Sequence, residues 1–525
     1  MQFPKEAYVS RSINRRQVLR AGAAASALGL AGRAGFAAAQ DGTPTGAAPG
    51  EIVIPDAGVE LPTEDITFRW IDSGDLKALF YNEFHAAYQE AHQNITIQYD
   101  PLPWTEINQI VPLGVQSGDA HDIFAMPQDV PSSQAVAEGW VAPLDDIIPD
   151  FAAWKERFPL GSFMDGVHVF DGKTYTFPQT SSKRYWSMMF YNTELMAQAG
   201  FDPESERLTW DQFREAARAI TEQGQGQYYG LIFGGQSTDR FGTYVRNLGR
   251  MAGAPAGGGA GFEDINWLTG DFQYTSEQYL AAIDLLVAIN SDGSIFPGSM
   301  SLNDAEAWSQ FPQGVAGMIL EGPWVIPQWE RENPDFQFGL ASQPVPDAET
   351  VVPMTYEETG SNQLWVYAES EYKNVAGDML SYIGSVDGQV AIMAATSGFL
   401  RALVPEAAEI AQESVELNPF AAEALALYDE QLRLGPMVTV RNPDVAQVAL
   451  EHRPVTPNLG ELVQGILVGQ IDDVAAAMED LQSRSNAELD RAIAAAQENG
   501  ANVSRDDFIF ANWDPMAEYT ADMYE

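Results

Sequence analysis

An α/β fold with parallel strands is predicted by three features of this chain. Residues 66–71 (ITFRWI) read as a strand, 76–92 as an amphipathic helix with apolar positions 76, 79, 80, 84, 87 and 88, and 95–99 as a second strand. That order is a βαβ unit, which sets its two strands side by side in parallel. Far downstream, residues 315–320 form an apolar run between Gly314 and Glu321-Gly322-Pro323-Trp324, the pattern of a strand buried on both faces. Pro323 has no N–H and fixes its own φ, so the strand ends there. Trp324 is thereby placed on a turn at a strand end, where open α/β sheets bind ligands. The chain also has 525 residues and is 45% hydrophobic, enough for two or three domains with real cores.

Between these landmarks the reading alternates helix and strand. Residues 104–115 are expected to be helical, and Gly118-Asp119-Ala120-His121-Asp122 leads into a short strand, 123–126, that ends at Pro127-Gln128-Asp129. Residues 139–144 close this first α/β half. Residues 171–178 read as a hairpin turn feeding a strand, 188–191 as a strand and 193–199 as a helix. Thr209, with Gln212 three residues on, forms a capping box for the next helix. The glycine-rich stretch 252–261 has the composition of a phosphate loop, but no Lys-Ser/Thr follows and no strand precedes it. It reads as a mobile surface loop. From Ser276 onward helices dominate, apart from strands at 315–320 and 363–368, and no fixed-period repeat is present.

Composition excludes several classes of function. There is no cysteine, hence no disulfide, thiolate metal site, cysteine nucleophile or lipid-bearing cysteine. The five histidines (85, 92, 121, 168, 452) offer no clustered ligand spacing; His85 and His92 could share a helix face, but seven residues is wider than usual metal spacing. No metal and no cofactor are expected. The net charge of −46 argues against nucleic acid as a partner, because phosphate binding needs basic patches. It favours solubility through self-repulsion and fits a salty habitat.

The first 39 residues have the build of an export signal. Asn14-Arg15-Arg16-Gln17-Val18-Leu19-Arg20 precedes a small-residue apolar stretch from Ala21 to Gly32, and Ala37-Ala38-Ala39 supplies a cleavage site before Gln40. The paired arginines resemble the twin-arginine signal. The apolar run is mostly Ala and Gly and falls short of the roughly 20 residues of a membrane span. Lys5 and five arginines against Glu6 give this segment +5, so its removal takes the chain to −46 − 5 = −51. Residues 40–63, rich in Gly, Pro, Thr and Ala, read as a flexible leader.

Four stretches, in order, resemble one family. They are MFYNTELMAQAG (189–200) with LTWDQF (208–213), WSQFPQGVAGMILEGPW (308–324), GSNQLWVY (360–367) and LVQGILVGQ (462–470). Together they resemble the extracellular solute-binding proteins of ABC importers, in the sugar-binding group that includes maltose-binding protein. The likeness spans Ile66 to about Ala495. The departures are the chain's length, its acidity and an extra, mostly helical stretch at 403–440. The resemblance implies a two-lobed periplasmic-binding-protein fold (type II), with hinge strands joining the lobes and a ligand in the cleft. The N-lobe would comprise 64–172 plus 359–402 and the C-lobe 173–358 plus 403–525. It also implies a non-enzymatic, monomeric receptor in the periplasm or at the cell surface, which captures a mono- or oligosaccharide and delivers it to ABC permease subunits.

Sugars need aromatic faces for their C–H surfaces and polar groups at fixed positions for their hydroxyls. The resemblance implies Ser73, Gly74 and Asp75 after the first strand, and Met126, Gln128 and Asp129 after the strand at 123. Tyr185 and Trp186 fall in a region that lines the family's cleft, Trp324 is its stacking tryptophan, and Ser361 and Asn362 stand at the returning hinge. Each has a local alternative. Ser73 or Asp75 can cap a helix, Asp129 can fix its own turn, and Tyr185 and Trp186 can be core residues, although Lys183-Arg184 beside them argues for exposure. Asp122 and Tyr191-Asn192 are read as structural; Trp104, Trp267 and Trp365 are further aromatic candidates.

Two rival functions have weaker support. A secreted glycoside hydrolase needs two carboxylates about 5–10 Å apart, but among 74 acidic residues pairs such as Asp145-Asp146 or Glu357-Glu358 arise by chance. No G-x-S-x-G elbow appears. An oligopeptide-binding receptor would match the length but not the YN…TW and GPW pattern.

Overall fold

The computed structural model describes residues 50–524, except 75, 103, 128, 129, 131, 258–261, 348–351 and 359–361 and the side chain of Thr105. The expected export signal, Asp75, Gln128, Asp129 and Ser361 therefore lie outside the described residues. The βαβ unit is present: β1 (Ile66–Asp72), α1 (Lys77–Ala91) and β2 (Ile95–Pro101), with β1 and β2 parallel and Ile66 opposite Ile95. The helix α2 (Trp104–Ser117) follows, then β3 (Ile123–Phe124), which is parallel to β1 on its other side. The strand expected to run to Met126 stops at Phe124.

A second sheet is built from β4 (Met188–Asn192), followed by α3 (Thr193–Ala199), α4 (Trp210–Gly224), β5 (Tyr229–Leu231) and α5 (Thr238–Met251), then β6 (Ala316–Glu321) and β7 (Phe338–Ala341). Its order is β5-β6-β4-β7, with β4 antiparallel to both neighbours and β5 parallel to β6. All six residues of β6 are buried. Buried strands alternate their side chains between two cores. Met188 and Phe190 face the core that also holds Phe68, Trp70 and Phe84, whereas Met189 and Tyr191 face the core of Phe213, Val245 and Ile283.

Local capping sets several helix starts. Thr209 accepts from Gln212 N at 3.2 Å while Gln212 Oε1 accepts from Thr209 N at 2.8 Å, the expected capping box at the start of α4. Asn192 caps α3 through Glu194 N and Leu195 N. Asp122 accepts from Arg69 N at 2.8 Å and from Ser370 Oγ at 2.5 Å, a structural brace between β1 and the chain after the return strand. That strand, β8 (Trp365–Val366), is shorter than the expected 363–368 and pairs antiparallel with β3, completing the first sheet as β8-β3-β1-β2.

The extra stretch packs across the molecule. Helix α6 (Val386–Ala395) packs on α1 and carries α7 (Pro405–Ser414). Helix α8 (Pro419–Gln431) then lays Phe420 on Phe338 of β7, ring centroids 4.5 Å apart and nearly parallel. Residues Leu432–Leu434 pair in parallel with Met354–Tyr356.

Two expectations change. The glycine-rich stretch is not wholly a surface loop: Ala254, Ala256 and Gly257 are buried, and a β-carbon on Gly257 would sit 2.2 Å from the Trp267 ring. Its small residues let backbone close on an indole; residues 258–261 lie outside the described residues. Residues 50–63, expected within a flexible leader, pack Ile52, Ile54 and Leu61 against the first core. Among the described residues no helix is long and apolar enough to cross a membrane.

Candidate functional site

The turn after β1 is organised by Asp72. Its carboxylate is fully buried, and Oδ1 accepts from Gly74 N at 2.8 Å and from the Tyr99 hydroxyl at 2.7 Å. Gly74 holds φ +70°, and a β-carbon there would lie 2.9 Å from Pro101 Cβ, so the position requires glycine on both counts. Lys77 Nζ donates to Ser73 Oγ at 2.7 Å and stands 3.7 Å from Asp72 Oδ2. Ser73 is therefore tied to the first turn of α1, and Asp72, which sequence reasoning passed over, reaches the cavity.

That cavity, about 330 Å³, is lined by Asp72, Lys77, Met126, Ser132, Asn362 and Gln363, with the indoles of Trp104 and Trp365. Its volume is at the lower end of the range for small-molecule sites. Asn362 sits in the left-handed region at φ 61°, a conformation asparagine tolerates, and its Nδ2 donates to Thr180 Oγ1 at 2.8 Å. The turn before β8 is thus pinned to the segment that precedes β4.

The second sheet contributes aromatics from two strand ends. Trp324 follows β6 on a single tight helical turn, Pro323–Val325. Trp186 precedes β4, is 43% exposed, and meets Trp324 edge-to-face at 5.6 Å, with the Arg240 guanidinium 5.8 Å above its ring. Lys183-Arg184 correctly signals exposure for Trp186 but not for Tyr185, which points the other way: it is 3% exposed and its hydroxyl donates to Gln431 Oε1 at 2.6 Å. Tyr185 and Trp186 border a cavity of about 520 Å³ with Asp239, Asn247 and Thr355. Trp324 borders a narrow one of about 40 Å³ with Leu76, Phe399, Arg401 and Tyr428, so α8 of the extra stretch supplies part of the cleft wall.

Beneath the aromatics lies Glu321, buried at the end of β6. It is 3.0 Å from Arg240, which also donates to Asp304 at 3.0 Å, and it accepts from Gly322 N at 3.2 Å. Burial pushes the Glu321 carboxyl up to about 7 despite Arg240. The acidic pairs suggested as hydrolase candidates are occupied elsewhere. Asp146 pairs with Lys173, Asp145 accepts from Thr174 N, and Glu358 accepts from Ser181 and Ser182. Among the described residues no cluster of histidine and carboxylate could hold a metal ion.

The described site candidates therefore fall around three adjoining cavities: Met126 and Asn362 at one, Tyr185 and Trp186 at another, Trp324 at the third, with Ser73 and Gly74 in the turn beside the first. Trp104 borders the first, Trp365 lies in the core behind it at 2% exposed, and Trp267 is core, packed on Trp513 at 5.3 Å. Arg184 borders all three cavities. Its only trace in the sequence is the adjacent basic pair.

Comparison with known proteins gives this geometry its context. A binding protein of Brucella abortus (strain 2308) is 25% identical over 308 residues, 59% of this chain and 69% of the relative. The sn-glycerol-3-phosphate-binding periplasmic protein of Rhizobium meliloti (strain 1021) is 24% identical over 371 residues, 68% of this chain and 78% of that one. A solved ABC transporter solute-binding protein of Thermotoga lettingae, bound with α-D-tagatose, superposes with a TM-score of 0.56 at 16% identity, covering 81% of this chain and all of that one. The fold is the two-lobed, type II periplasmic-binding-protein fold. Residues 72–390, more than half the chain, match the family described as bacterial extracellular solute-binding protein, and the chain belongs to that family.

Proposed function

We propose that this chain is the extracytoplasmic, non-enzymatic receptor of an ABC importer, capturing a sugar or a closely related polyhydroxylated solute and presenting it to membrane permease subunits. The observation that carries the reading is the 330 Å³ cavity at the strand ends. It brings Ser132, Asn362 and Gln363 together beside Trp104, with the buried Asp72 and Trp365 behind them. Aromatic faces suit the C–H surfaces of a sugar ring, and fixed polar groups suit its hydroxyls. Trp186 and Trp324, crossing edge-to-face nearby, add aromatic surface from the other lobe. The tagatose-bound neighbour and the glycerol-phosphate-binding relative both handle small hydroxylated solutes, which agrees with this chemistry. Ser73, Gly74, Met126, Trp186, Trp324 and Asn362 are the proposed ligand-facing residues, together with Asp75, Gln128, Asp129 and Ser361, which lie outside the described residues. Tyr185 is a core residue, held by Gln431 and packed on Tyr428. Export by the twin-arginine-type signal fits the family and the paired Arg15-Arg16.

The test is thermal unfolding of the purified protein against a panel of mono- and oligosaccharides, polyols and peptides. A ligand at a hundredfold its Kd adds about 2.7 kcal/mol of stability. Stabilisation by one sugar class, lost on Trp324→Ala, is expected. Stabilisation by peptides alone would move the assignment to an oligopeptide receptor.

A further inference from the structure

Arg184 borders all three cavities, and its surroundings are unusual for a chain with 74 acidic and 28 basic residues. With so large an excess of carboxylates, a cation near the interior is expected to hold one. The neighbouring cations do. Lys183 and Arg401 both reach Asp429 at 2.9 Å, Arg246 pairs with Asp264 at 2.9 Å, Arg240 with Glu321 and Asp304, and Lys77 with Asp72. The Arg184 guanidinium makes no hydrogen bond and no ion pair with any described residue. Its backbone N–H donates to Ser182 O at 2.7 Å, which fixes the chain but leaves the side chain free.

The nearest candidate carboxylate is already committed. Glu358 Oε2 accepts from Ser181 Oγ at 2.8 Å, and Oε1 accepts from Ser182 N at 2.8 Å and Ser182 Oγ at 3.1 Å. Among the described residues, the narrow cavity beside Trp324 is lined by Lys183, Arg184 and Arg401 and by no acidic residue. Withdrawal from water also pulls the Arg184 guanidinium below its ordinary value, with Tyr428 and Glu358 acting weakly against it. The Arg184 side chain is half-buried at the cavity walls, and its planar five-donor fork, with no partner among the described residues, matches a carboxylate or phosphate.

We propose that Arg184 binds an anionic group of the solute, a carboxylate or a phosphate, carried on a hydroxylated body seated in the 330 Å³ cavity. The proposal rests on the solute-receptor reading and narrows it from neutral sugars to charged ones, such as uronates or sugar phosphates. Arg184 takes the charge, while Asn362 and Gln363 take hydroxyls.

The experiment is calorimetric titration of the purified full chain with matched sets: glucose, glucuronate and glucose 6-phosphate, and glycerol with glycerol 3-phosphate. Wild type, Arg184→Gln and Arg184→Lys are compared. A charged member is expected to bind about tenfold or more tightly than its neutral counterpart, and Arg184→Gln to lower that affinity by about tenfold or more while leaving neutral members unchanged. Arg184→Lys keeps the charge but loses the fork, and is expected to fall between. Uronate and phosphate arms separate the two sources of negative charge. Without ligand, Arg184→Gln is expected to unfold at a temperature no lower than wild type, since it removes an uncompensated charge; a marked drop would show a structural role and overturn the proposal. Tighter binding of neutral members would also overturn it while leaving the sugar receptor standing. Failure of every charged member to bind overturns it too, and if the thermal-unfolding panel is then stabilised by peptides alone, the receptor reading for sugars falls with it.

Discussion

The indole of Trp324 lies against the backbone of Gly322: a β-carbon at residue 322 would come 2.0 Å from Cζ3 of the ring and 2.1 Å from Cη2. Gly322 has an ordinary φ of −95°, so glycine is needed here for space rather than for backbone freedom. The Gly-Pro-Trp turn is thus one device. Pro323 ends β6, and the bare α-carbon of Gly322 gives the ring a surface to rest on. Gly322→Ala is expected to expel the ring and cost about 1–3 kcal/mol as an overpacking change. The measurement is thermal unfolding alongside near-ultraviolet circular dichroism, which should show a changed tryptophan environment. An unchanged spectrum would mean that the ring is not held by this contact.

Trp186 and Trp324 come from different strand ends and meet edge-to-face at 5.6 Å. A double-mutant cycle of Trp186→Phe, or →Ala, with Trp324→Ala is expected to return a stability coupling of about 0.5–1.5 kcal/mol, the range for such aromatic pairs. Because Trp186 is 43% exposed, Trp186→Ala alone should leave the protein folded. Strict additivity would show that the two rings act independently.

Asp72 anchors the first cleft turn through Gly74 N and the Tyr99 hydroxyl. Asp72→Ala removes the acceptor of both donors, and leaving the buried Gly74 N–H without one costs about 1–3 kcal/mol, with a smaller loss at the half-buried Tyr99 hydroxyl. Tyr99→Phe removes one bond together with its donor and should cost about 1 kcal/mol. Denaturant unfolding of both variants checks the order. If Tyr99→Phe proves the more damaging, the turn is not organised around Asp72.

Much of this architecture is legible in the chain because its signals are local. The βαβ unit follows from helical spacing between two strands, the capping box from Thr209 and Gln212, and the end of β6 from Pro323. Other features depend on partners distant in sequence. Nothing near Phe420 announces that it will stack on Phe338, so the extra stretch has no readable position until β7 is in place. Gly257 looks like loop until Trp267 is seen filling the space its missing side chain leaves. Lys183-Arg184 suggests a solvated pair, yet Lys183 is bound to Asp429 and Arg184 faces the cavities, because the carboxylates that would identify them lie far along the chain. Asp72 was hidden for a simpler reason: at a strand end an aspartate reads as turn chemistry, and only the fold shows that the same residue borders the cavity.

Glu321 gives the protein a pH response of definite sign. Its carboxyl is pushed up by burial from 4.5 to about 7, with Arg240 opposing. A raised carboxyl holds its proton more tightly in the folded state, so the stabilisation it contributes is complete below 4.5 and is lost as pH rises through about 7. Glu358, raised by burial as well, adds a slope of the same sign. Asp264 and Asp429 slope the other way: in each the upward push of burial is outweighed, by Arg246 in one and by Lys183 and Arg401 in the other. Their stabilisation is lost as pH falls through the acid range. The wild-type curve mixes these terms, and Glu321→Gln separates them. The amide cannot ionise and still fills the space, while Arg240 keeps Asp304. The gap in melting temperature between wild type and Glu321→Gln should therefore shift against wild type as pH climbs from 4.5 to about 7. A gap that is flat across this window would mean that Arg240 holds Glu321 ionised throughout, and that the ion pair beneath Trp186 and Trp324 is permanent.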